Sequence, residues 1–89
     1  MTDAELLEEV KKRMGVTGEY QDGILSGYIQ DVKDFLADAG VDEKILKTNE
    51  VIGVVTRGVF DLWVYGSGFS SYFFQRATQL ALKKEREDE

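Results

Sequence analysis

Apolar residues recur along most of this chain at steps of three and four, the spacing that gathers them on one side of an α-helix. Leu6, Leu7, Val10 and Met14 do so first. Thr2 stands before them with Glu5 three residues on, the pair in which a capping hydroxyl and a carboxylate each satisfy a free backbone N–H. Lys11 to Arg13 then fill the last turn and Gly15 follows, so a first helix is expected over about 3–14. A second, about 21–39, carries Ile24, Leu25, Tyr28, Ile29, Val32, Phe35 and Leu36 and stops at Gly40. A short helical turn near 42–47 should be capped by Asp42. Asn49 is read as the cap of a third long helix over 50–65, and Ser70 or Ser71 opens a last one over 71–84. Residues 83–89 read as a frayed charged tail. The chain has no proline, no convincing strand alternation and no detectable repeat, so the expected fold is all-α: a single domain, 1–89, of about four helices.

The third helix differs from the others. Its apolar residues surround most of the axis, and only Thr56, Arg57 and Asp61 interrupt them. Its valines and two glycines would also suit a strand, but the run is too long, and Arg57 with Asp61 at i,i+4 favours a helix. Such a helix must be covered on several sides, and a domain of 89 residues has few elements to do it. Seven of the ten aromatics fall between Phe60 and Phe74, at the junction with the last helix. Two readings are open: the cluster fills one compact core, or part of it is a surface for another chain, since interfaces are rich in Tyr, Trp, Phe and Arg. On the second reading the contact residues are Ile52, Arg57, Val59, Phe60 and Trp63 from the third helix, with Tyr65, Phe69, Tyr72, Phe74 and Arg76 beyond it. Arg57 and Arg76 are the basic residues embedded in apolar stretches and are expected to form ion pairs, Arg57 with Asp61. Gly53 and Gly58 each weaken a helix interior, which close approach of a neighbouring helix would explain and simple tolerance would also allow.

Charge adds a constraint. The net charge is −6, and residues 1–50 account for it with 12 acids against 6 bases, while residues 51–89 balance. That field repels phosphate and argues against specific DNA binding. Asp31, Asp34 and Asp38 make an acidic stripe on the second helix. A magnesium or acid–base site there would need burial or a third converging ligand, and a solvated face explains the stripe better. The chain has no cysteine and no histidine, which removes the commonest zinc, haem and iron–sulfur ligands and the base of a Ser-His-Asp arrangement. Gly66-Ser67-Gly68 lacks the Lys-Ser/Thr of a phosphate loop and reads as a turn. No cofactor, metal or catalytic residue is expected, and no membrane span or signal is recognisable.

Three segments together resemble a known family: Leu6 to Gly15 (LLEEVKKRMG), Tyr28 to Leu36 (YIQDVKDFL), and Arg57 to Gly68 (RGVFDLWVYGSG) followed by Phe73 to Leu80 (FFQRATQL). In order and spacing the chain is similar to the phage head-tail connector (adaptor, head-completion) proteins of tailed phages and prophages. Two departures concern loop detail: Ser71 stands where members often have proline, and the preceding glycine loop looks short. The resemblance implies a non-enzymatic structural protein of the virion, assembled in the host bacterial cytoplasm. It would be a homo-oligomeric ring between the portal protein and the tail-completion protein, with the genome passing through. Given such a ring, the front-half charge suggests an acidic lumen face that repels DNA, for which Asp31, Asp34 and Asp38 are the candidates, and the resemblance further implies docking of Lys83 to Glu89 on the portal. The competing reading from charge alone is a small acidic inhibitor that mimics DNA and binds a nucleic-acid enzyme. Such mimics usually carry denser acid runs than this chain does.

Overall fold

The computed structural model describes residues 1–66 and 68–87, all helix and connecting loop, with no strand among them. The first helix, α1 (Asp3–Met14), opens on the expected capping box: Glu5 N–H donates to Thr2 Oγ1 at 3.1 Å and Thr2 N–H donates to Glu5 Oε1 at 2.8 Å. It closes at Gly15, whose φ of 72° is a left-handed turn that L side chains resist. There the Gly15 and Val16 N–H groups reach back to the Lys12 and Lys11 carbonyls. The same device ends α2 (Asp22–Asp38), where Gly40 has φ 97° and the Gly40 and Val41 N–H groups donate to Ala37 and Leu36. Val41 and Leu36 are both buried, which adds the apolar clasp that accompanies this kind of stop.

Helix α3 (Glu43–Leu46) is a single turn with Asp42 as cap, accepting from Lys44 N–H at 2.9 Å. The cap of the next helical stretch is Thr48 and not Asn49. Thr48 is extended, its Oγ1 accepts from Glu50 N–H at 3.3 Å, and its hydroxyl donates to the Ile45 carbonyl at 2.7 Å. Both residues are good caps by type, and the tie to α3 favours the threonine. The expected helix over 50–65 is three pieces: a 3₁₀ turn (Asn49–Val51), α4 (Ile52–Phe60) and a π-helical turn (Asp61–Tyr65) closed by Gly66. Helix α5 (Ser71–Glu87) is capped by Ser70, whose Oγ accepts from Phe73 N–H at 3.2 Å. The helix runs to Glu87, and residues 88 and 89 of the expected tail lie outside the described residues.

The core is built around α4. Ile52, Val54, Val55 and Val59 are buried there against Leu6 and Val10 of α1, Leu25 to Leu36 of α2, and Phe73, Ala77 and Leu80 of α5. Gly58 is the point of closest approach: a Cβ on it would lie 2.7 Å from Phe73 Cε1 and 2.8 Å from Val32 Cγ2. Glycine there lets α2 and α5 close on α4. Gly53 has no such duty, since a Cβ would meet only Arg13 Nη1 at 3.8 Å. Lys11 ties the first loop to α2. Its ammonium lies 2.7 Å from Asp22 Oδ1 and donates to the Gly18 carbonyl.

Candidate assembly surface

Seen from the core, Ile52 and Val59 are enclosed by their own chain, 5% and 0% exposed, so neither offers surface in the subunit. The inward-facing steps of α4 claim them. The aromatic cluster divides. Phe73 is fully buried and stacks on Phe69 at 4.2 Å between ring centroids, and Phe35 of α2 lies 5.0 to 5.6 Å from Phe69, Phe73 and Phe74. Phe35, Phe69 and Phe73 complete the core. Tyr65, Tyr72 and Phe74 are 63%, 51% and 46% exposed, and Phe60 and Trp63 are half-buried.

The helix repeat explains why neighbours in sequence part company. Two residues apart on a helix is about 200° of rotation. Tyr72 therefore turns toward Arg57, whose guanidinium carbon is 5.6 Å from its ring, while Phe74 turns toward Phe35. Arg57 lies equally close to Phe60, and its Nε is 3.1 Å from Asp61 Oδ1, an ion pair whose N–H is not aimed for a hydrogen bond. Asp61 is fully buried, and its other oxygen accepts the Ser70 N–H at 2.9 Å. The expected Arg57–Asp61 pair is thus present, and it also fastens the start of α5 to the end of α4. Arg76 sits beside Glu50 and Lys83, with its Nε buried and without a hydrogen bond among the described residues.

Two unlike surfaces result. One is a groove of about 750 Å³ between the end of α1 and the outer side of α4. Its apolar wall is Met14, Val16, Phe60, Trp63 and Val64; Gly53 and Thr56 also line it, and Arg13 and Arg57 are its charges. The Thr56 hydroxyl donates to the Ile52 carbonyl, so it makes no demand on the groove. The other surface lies across α4, where α2 meets α5. Phe35, Phe74 and Leu82 form its apolar part. Asp31 and Asp38, both exposed, stand one turn before and after Phe35 on α2. Asp34, within about 60° of both around the helix, accepts from Gln30 Nε2 at 2.9 Å and lines the cleft beside Thr2 and Asp3.

Residues 4–55 match the family described as "Phage gp6-like head-tail connector protein". The chain belongs to that family. No curated protein and no solved structure gives a significant match. The matched part of the connector takes in α1, α2, α3 and the opening of α4, hence the α1 side of the groove, Gly53 and the whole acidic stripe. The aromatic junction and α5 lie beyond it. The family is structural and its members are parts of the phage particle. No helix among the described residues is long and apolar enough to cross a membrane, and no group of three or more carboxylates among them converges as a metal site. Sequence reasoning missed Arg13, Met14 and Val16 as groove residues, because the last turn of an amphipathic helix gives no sign of what will pack over it. Leu82 was missed as well, although its i,i+8 spacing from Phe74 along α5 could have pointed to it.

Proposed function

We propose that this connector is one segment of a closed homo-oligomeric ring that joins the portal to the tail and lets the genome pass through. The observation that carries the reading is the pair of unlike apolar surfaces on opposite sides of a subunit whose core is already filled. A ring made by rotation uses a heterologous contact, in which each copy presents one patch forward and a different one backward. A dimer with twofold symmetry needs only one self-complementary patch and would leave the other bare. The end of α5, with the charged residues that follow Lys83, is the segment proposed to dock on the portal.

Native mass spectrometry of the full chain, alone and with its portal protein, tests the ring. The expected result is a discrete assembly of more than two copies in at least one of the two samples. A monomer in both would contradict it.

A further inference from the structure

We infer that the α1–α4 groove is the socket for the α2–α5 face of a second copy, with Phe74 as the inserted ring and with Asp31 and Asp38 set against Arg13. This inference rests on the ring reading and names the contact that would close it.

Three observations converge. The charged residues in the groove are Arg13 and Arg57, with no carboxylate among its lining residues. In a chain of net charge −6 that makes it an unusual place, and a partner that is itself acidic is attracted there and repelled over much of the rest. Arg57 is already held by Asp61, Phe60 and Tyr72, whereas Arg13 is exposed and has no ion-pair partner among the described residues. Arg13 is therefore the cation left for an incoming acid.

The second observation is the matching face. Phe74, 46% exposed, projects beside Phe35 and Leu82, and by helix spacing the exposed Asp31 and Asp38 stand about one turn before and after Phe35 on α2. An exposed aromatic side chain, with two acids a turn away from its neighbour Phe35 on α2, complements an apolar groove that carries arginine. The third is placement. Gly58 faces Val32 and Phe73 while Gly53, Thr56 and Phe60 face the groove, so α4 separates the two surfaces. Neither can reach the other within one chain, and a second copy brings them together. Repeated around an axis, the contact uses each surface once. Gly53 gains a purpose: the groove stays open because position 53 has no side chain.

This assignment takes Asp31 and Asp38 out of the lumen and into the contact, and leaves Asp34 as the acid of α2 that is free to face the channel.

Charge reversal tests it on the full chain, under conditions where the wild type assembles. Arg13→Glu in one chain, and Asp31→Lys with Asp38→Lys in another, should each raise the concentration needed for assembly by roughly tenfold or more, as expected when close charge pairs across an interface are lost. The chain bearing all three substitutions should recover much of that loss. Gly53→Trp should block assembly without a charge change. All these positions are exposed, and helical circular dichroism equal to the wild type confirms folding. If the variants assemble as the wild type does, the pairing is wrong, while a ring through other faces stands. If the wild type is monomeric with and without portal, the ring reading falls and the pairing with it. If Arg13→Glu abolishes portal binding and leaves self-assembly intact, the groove belongs to the portal and the inference is overturned.

Discussion

Gly53 and Gly58 show how much the meaning of a residue depends on what folds against it. Five positions apart on one helix and alike in sequence, they have opposite tasks: Gly58 makes room for Val32 and Phe73, and a Cβ at Gly53 would meet only Arg13 Nη1 at an ordinary contact distance of 3.8 Å. Gly58→Ala forces a methyl into contacts under 3 Å and should destabilise the subunit by about 1–3 kcal/mol, the usual range for overpacking a filled core. Gly53→Ala should stabilise it by about 0.5–1 kcal/mol through helix propensity alone. Urea denaturation of both variants checks the pair, and equal shifts in the same direction would contradict it. Sequence could not separate them, because Phe73 comes from a helix fifteen residues further along. It did anticipate the local partner of Arg57, since Asp61 is one turn away on the same helix.

At the scale of elements, the starts and stops that depend on adjacent residues were legible. Thr2 with Glu5, Gly15, Gly40 and Asp42 all act where they were expected. What could not be read is where tertiary contact intervenes. Thr48 replaces Asn49 because its hydroxyl also reaches Ile45. The π turn at Asp61 comes with a carboxylate drawn to Ser70, nine residues on. The tie between α1 and α2 is a further case, because nothing near Lys11 in sequence predicts Asp22 as its partner. The Asp22 carboxylate raises the Lys11 ammonium above its ordinary value, against a smaller opposing effect of burial. A raised folded-state pKa gives stability that is complete below the unfolded value of about 10.4 and is lost as pH rises through the folded one. Denaturation midpoints should therefore fall above about pH 10, and fall less in Lys11→Met; identical alkaline profiles for the two proteins would refute the tie.

For the whole molecule the sequence raised a choice between a compact aromatic core and an aromatic interface, and the subunit has both buried aromatics and exposed ones. Phe69 and Phe73 with Phe35 close the interior, while Tyr65, Tyr72 and Phe74 face out. The all-helical fold and the connector family were accessible because they rest on local periodicity and on residue order. The two surfaces were not, since each is assembled from helices distant in sequence: α1 with α4, and α2 with α5. On the proposed pairing a single subunit carries the donor and the acceptor of one contact, which is what a rotationally closed assembly needs.

The most direct test mixes two chains, one with Arg13→Glu and one with Asp31→Lys and Asp38→Lys, and weighs the products by native mass spectrometry. Each chain alone should remain largely monomeric. In the mixture, the acidic face of the first meets an unaltered groove, and the lysine-bearing face of the second meets the new glutamate, so assemblies containing both chains should return. A mixture that stays monomeric while the wild type assembles, or either chain assembling fully by itself, would contradict the account.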